Sequence, residues 1–154
     1  MIENKNLNIT KIFATAVQCY KNKELAKAIS NYEKIIKVDP KYVEALNNLA
    51  IIFKEQGDLL KAKIYYEKVI AIDPNSLVYN INFGNLLVLL KDYRQAINSY
   101  EKVIKINPNF IQALNNLGNL FALLKEYQKA KEYFIKIIQV DPYHLAAHNS
   151  LGAT

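Results

Sequence analysis

The dipeptide Asp39-Pro40 returns as Asp73-Pro74, as Asn107-Pro108 and as Asp141-Pro142, always after 34 residues and without insertion or deletion. A chain that repeats itself at a fixed step of this size is confined to arrays in which each unit packs only on its neighbours. The pattern is clearest from Ile111 to His144. There Leu114, Leu117, Gly118 and Phe121 share one helical face, Ala130 and Phe134 mark a second helix, and Pro142 marks the exit. The copies before it run from Ile9 to Tyr42, Val43 to Ser76 and Leu77 to Phe110. Residues 1–8 read as a polar lead-in. Leu145 to Thr154 start a further first helix and are expected to serve as a short capping helix, either a minimal cap or the point where a longer chain was cut.

Inside a unit the apolar period is helical. Leu46, Leu49, Ala50 and Phe53 recur at steps of three and four, giving one apolar stripe. Gly57-Asp58 then interrupts, with glycine suited to ending one helix and aspartate to capping the next. Ala62, Tyr66 and Val69 form the buried stripe of the second helix. Asp73 is expected to cap the following helix and Pro74 to open it. Small residues allow tight pairing: Ala50, Gly84 and Gly118 from the first helices, and Ala28, Ala62, Ala96 and Ala130 from the second.

Composition agrees with a water-exposed array. The apolar fraction is 51%, yet no apolar run is longer than Leu86 to Leu90, which is far too short for a membrane span. Nothing in the polar N-terminus resembles a secretion signal, and the single cysteine, Cys19, permits no internal disulfide; a reducing cytoplasm is the expected location. Cys19 falls on a core position and reads as a small inert hydrophobe. The net charge of +6 comes from lysines interleaved with glutamates along the second helices, as at Glu101-Lys102, which is the pattern of a solvated face. With one arginine, Arg94, there is no basic patch for nucleic acid.

These residues resemble the tetratricopeptide repeat (TPR) family. Its pattern of Leu-Gly, aromatic, Ala, aromatic and Pro is matched at Leu49-Ala50-Phe53, Phe83-Gly84-Leu87 and Leu117-Gly118-Phe121, followed by Tyr66, Tyr100 and Phe134. The family's opening Trp is replaced by Ile12, Leu46, Asn80 and Leu114, and the first unit diverges most, with Thr15, Ala16 and Cys19. The resemblance implies an all-α, right-handed superhelical solenoid of helix–turn–helix units. It also implies a non-enzymatic protein-interaction module that takes an extended peptide or a partner's segment in a concave groove.

The groove lining follows from the first-helix faces turned away from the apolar stripe. Asn48, Asn82 and Asn116 stand one repeat apart, Asn85 and Asn119 likewise one turn later, and Asn47 and Asn115 beside them; Val88, Leu89, Ala122 and Leu123 add an aliphatic strip. Asparagine offers both donor and acceptor, as a peptide backbone does. The row is similar to the asparagine ladder in the repeat superhelix of protein O-linked N-acetylglucosamine transferases. By that resemblance Asn48, Asn82 and Asn116 hold a substrate backbone. The family's carboxylate clamp is not reproduced, because its cation positions fall on Phe13, Val78 and Asn82 or, starting one unit later, on Asn47, Gln112 and Asn116.

Other constellations are weak. His144 and His148 lie one helical turn apart with no third ligand, so no metal is expected. Tyr66, Tyr100 and Tyr133 occupy second-helix positions suited to packing. No catalytic group, cofactor site, nucleic-acid or membrane partner is indicated. The expected partner is a protein or peptide segment, with the chain a monomer or weakly associated end to end. Two further possibilities are a docking arm of a glycosyltransferase or sulfotransferase and a self-assembling scaffold.

Overall fold

The computed structural model describes the backbone of residues 2–153 and the side chains of residues 8–152. All regular structure among these residues is helical. The helices fall into two compact units, Met1–Pro74 and Asn75–Thr154. The first unit holds α1 (Ile2–Lys21), α2 (Leu25–Val38), α3 (Val43–Glu55) and α4 (Leu59–Ile72). The second holds α5 (Leu77–Leu89), α6 (Tyr93–Ile106), α7 (Ile111–Leu123), α8 (Tyr127–Val140) and α9 (Leu145–Ala153). The chain is an all-α helical-repeat solenoid by class, built from the hairpins α1–α2, α3–α4, α5–α6 and α7–α8. Helices α3, α5, α7 and α9 begin at Val43, Leu77, Ile111 and Leu145, in register with the sequence step. The stretch read as a lead-in is helical from Ile2, since no Gly or Pro interrupts α1 before Lys21.

The hairpin turn has one design throughout. In the second repeat the N–H of Asp58 donates to the Phe53 carbonyl and Gly57 adopts φ +81°, the glycine-favoured stop for a helix. Lys23, Lys91 and Lys125 take the same left-handed place with φ of 60–62°. Asp58 then caps α4 by accepting from Lys61 N at 3.1 Å, and Asp92 caps α6 from Gln95 N at 3.3 Å. Glu24 and Glu126, one methylene longer, make no such side-chain bond.

The Asp-Pro pairs act differently from expectation. Asp39 and Asp141 cap the C-termini of α2 and α8, and each opens a tight turn; they do not cap the next helix. Asp39 accepts from Tyr42 N through its carbonyl and from Lys41 N through its carboxylate. Asn107 and Asp141 repeat both bonds with Phe110 and Asn109, and with His144 and Tyr143. Aspartate or asparagine at the first turn position with proline at the second is the arrangement such turns favour.

The small residues sit where close approach demands them. Ala28, Ala62, Ala96 and Ala130 are fully buried. A Cβ on Gly84 would lie 2.5 Å from Tyr100 Cε1, and one on Gly118 2.6 Å from Phe134 Cε1. Phe53 stacks on Tyr65 at 5.6 Å between centroids, with Lys61 over the Phe53 ring and Lys68 over the Tyr65 ring. Phe121, Tyr133, Lys129 and Lys136 repeat the arrangement in α7–α8. Cys19 is only partly buried, and so is not the core residue its position suggested.

Candidate functional site

In the first unit, Asn48 on α3 is half-buried and its amide donates to the Tyr32 hydroxyl of α2 at 3.0 Å. The second unit builds a larger version. Tyr100 on α6 is 2% exposed, and its hydroxyl donates to Asn85 Oδ1 of α5 at 2.7 Å. Asn116 on α7 donates to the same oxygen at 3.0 Å. Three helices are therefore joined at one amide oxygen. Burial pushes the Tyr100 phenol up to about 12, partly offset by the Asn116 amide, so at neutral pH it remains a proton donor.

Beside this cluster lies a concavity of about 230 Å³ lined by Asn85, Val88, Asn116, Asn119, Leu120 and Leu123, with Tyr100 at its floor. Leu123 is 59% exposed and Leu89, on the adjoining turn of α5, 56%. The Asn119 side chain is exposed and makes no hydrogen bond among the described residues. The sequence-selected Asn85, Asn116, Asn119, Val88 and Leu123 are thus brought together around one depression. Asn82 is half-buried on α5. Asn47 belongs elsewhere: it is buried, as is Ile81 at the same place in the next repeat, because that position turns inward; Asn115 is half-buried. This corrects the placement of Asn47 on a solvent-facing lining.

The tyrosine was the element the sequence reading missed. Tyr32 precedes Asn48 by the same interval that separates Tyr100 from Asn116, and where the tyrosine becomes Phe134 the asparagine becomes Ser150. That paired change is a signal of contact legible without coordinates. His144 and His148 also have structural duties. His144 Nδ1 accepts from Ala147 N at the start of α9, and a ring nitrogen of His148 lies 2.9 Å from the Pro142 carbonyl. Among the described residues no group of side chains is arranged to hold a metal ion, and no helix is long and apolar enough to cross a membrane.

A family model described as "TPR repeat" matches residues 15–57 and 84–125, and one described as "Tetratricopeptide repeat" matches 43–76 and 111–144. The chain belongs to the tetratricopeptide repeat family. Among curated proteins none matches it. Solved structures share the TPR fold. The MamA protein superposes with a TM-score of 0.86 at 24% identity, over 94% of this chain and 79% of that one. A tetratricopeptide repeat protein from Parabacteroides merdae gives 0.88 at 23%, over 92% and 57%. The first TPR of Spaghetti (RPAP3), bound to HSP90 peptide SRMEEVD, gives 0.66 at 21%, over 75% and 91%.

Proposed function

We propose that the chain is a non-enzymatic protein-interaction module that docks an extended peptide segment on its first helices. The observation that carries this reading is the depression in the second unit, where amides already held in place by Tyr100 adjoin exposed aliphatic side chains. Asn116 keeps its carbonyl oxygen and one N–H beyond the bond to Asn85, and Asn119 keeps its whole amide. An extended segment presents matching donors and acceptors at roughly 3.3 Å per residue. Asn82 and Asn116 supply successive backbone contacts in the second unit, as in an asparagine ladder; in the first unit Asn48 is the corresponding backbone-binding amide. Val88, Leu89 and Leu123 cover the segment's side chains. Fixed amides bind at lower entropic cost than free ones, which favours a role beyond packing.

The test is an array of varied extended peptides probed with the intact chain and with an Asn119→Ala/Leu123→Ala variant. Both residues are exposed, so the variant should keep its melting temperature. Peptide affinity is expected to fall roughly tenfold or more, on the order of 1–3 kcal/mol, whereas Lys105→Ala on α6 leaves it unchanged. Peptides that bind both proteins equally would overturn the reading.

A further inference from the structure

The first helices of the second unit carry no charge at all. Neither α5, α7 nor α9 contains a single Asp, Glu, Lys or Arg. The charges of the unit's helices are confined to α6 and α8. Each has three basic residues against one acidic: Arg94, Lys102 and Lys105 with Glu101, and Lys129, Lys131 and Lys136 with Glu132.

From this segregation we infer that the depression between α5 and α7 selects one uncharged aliphatic side chain, of leucine, isoleucine or methionine size, from a neutral stretch of the docked segment. The inference rests on the peptide-docking reading and narrows it to a partner class. Three observations support it. The acceptor at the centre of the cluster is already satisfied internally, since Asn85 Oδ1 receives both the Tyr100 hydroxyl and the Asn116 amide, and the amide groups that Asn116 and Asn119 keep for a backbone carry no charge. A carboxylate or ammonium group entering there would shed water and meet no counter-charge among the side chains that line it, an unfavourable exchange. The walls that remain are Val88, Leu120 and Leu123, which gain by covering apolar surface. Size agrees as well. The depression, about 230 Å³, lies below the range of roughly 300–1,000 Å³ typical of small-molecule pockets. It exceeds the cavity of about 150 Å³ that accepts benzene in an engineered core. It has room for one aliphatic side chain.

The experiment uses a positional-scanning library of N-acetylated, C-amidated hexapeptides against the intact chain, read by fluorescence anisotropy at about 50 mM and about 500 mM salt. Binders should share an aliphatic residue at one position, lose at least about tenfold in affinity when it becomes Asp or Lys, and change less than about twofold across the salt series. Leu123→Lys, on an exposed position, should reverse the preference toward Asp or Glu at that position while the melting temperature holds. Binding that depends on Asn119 and Leu123 but strengthens several-fold at low salt, or prefers a charged residue, overturns this inference and spares the docking reading. No binder sensitive to the Asn119→Ala/Leu123→Ala variant removes both.

Discussion

Asn116 and Asn119 are neighbours on one helix with opposite consequences. Asn116 is tied to Asn85 and, through it, to Tyr100, so its removal takes a hydrogen bond out of a half-buried cluster. Asn116→Ala should cost about 1–2 kcal/mol by urea denaturation, and Asn119→Ala close to nothing. The sequence showed that asparagine recurs but not what each amide faces. A repeat position fixes a direction around the helix only to within a turn, which is how buried Asn47 joined the exposed set. Titration offers a second residue-scale test. Burial raises Tyr100 to about 12, and the 2.6 Å hydrogen bond to Glu55 raises Tyr20 to about 12, from ordinary values near 10. The fold keeps both phenols protonated, so the unfolded chain releases these protons first. Their stabilisation is whole below pH 10 and is lost as pH rises from about 10 to about 12. Replacing both by Phe should flatten that alkaline limb of the urea midpoint.

At the scale of the element, the helices were legible because periodicity and turn chemistry agreed, and the turns show where each repeat falls short. Gly57 suits its left-handed turn; Lys91 and Lys125 hold the same conformation against the clash of a Cβ with the following carbonyl. Lys91→Gly should therefore stabilise the chain by about 0.5–1 kcal/mol. The cap of α8 can be improved in the same way. Glu126 reaches Lys129 at 2.6 Å but not a backbone N–H, and such an exposed ion pair contributes little. Glu126→Asp should restore the bond that Asp58 and Asp92 make and raise stability by about 0.5–1 kcal/mol, measured by thermal melting. The Asp-Pro pairs are ambiguous in sequence because aspartate before proline satisfies two rules at once, helix opening and turn opening. The 34-residue step leaves room for a turn of its own before Val43, Ile111 and Leu145, and that decides it.

For the whole molecule, the 34-residue step points to the family but does not disclose the division at Pro74. Among the described residues, stacked aromatic pairs flanked by lysines occur in α3–α4 and in α7–α8, while Leu87 and Ser99 stand at the matching positions of α5–α6. In such arrays stability is a sum over neighbours rather than one cooperative total. Ala96→Leu, which overpacks a fully buried site in α6, should cost about 1–3 kcal/mol. Hydrogen exchange should then quicken in α5–α8 by more than in α1–α4. A uniform rise across both units would show that they unfold as one.

The uncharged α5 and α7 also bear on kinetics. A segment that lodges there is not drawn in by opposite charge on those helices, so its arrival rate belongs to the unguided range of roughly 10⁵–10⁷ M⁻¹s⁻¹. Strong and weak guests would then differ chiefly in how long they stay.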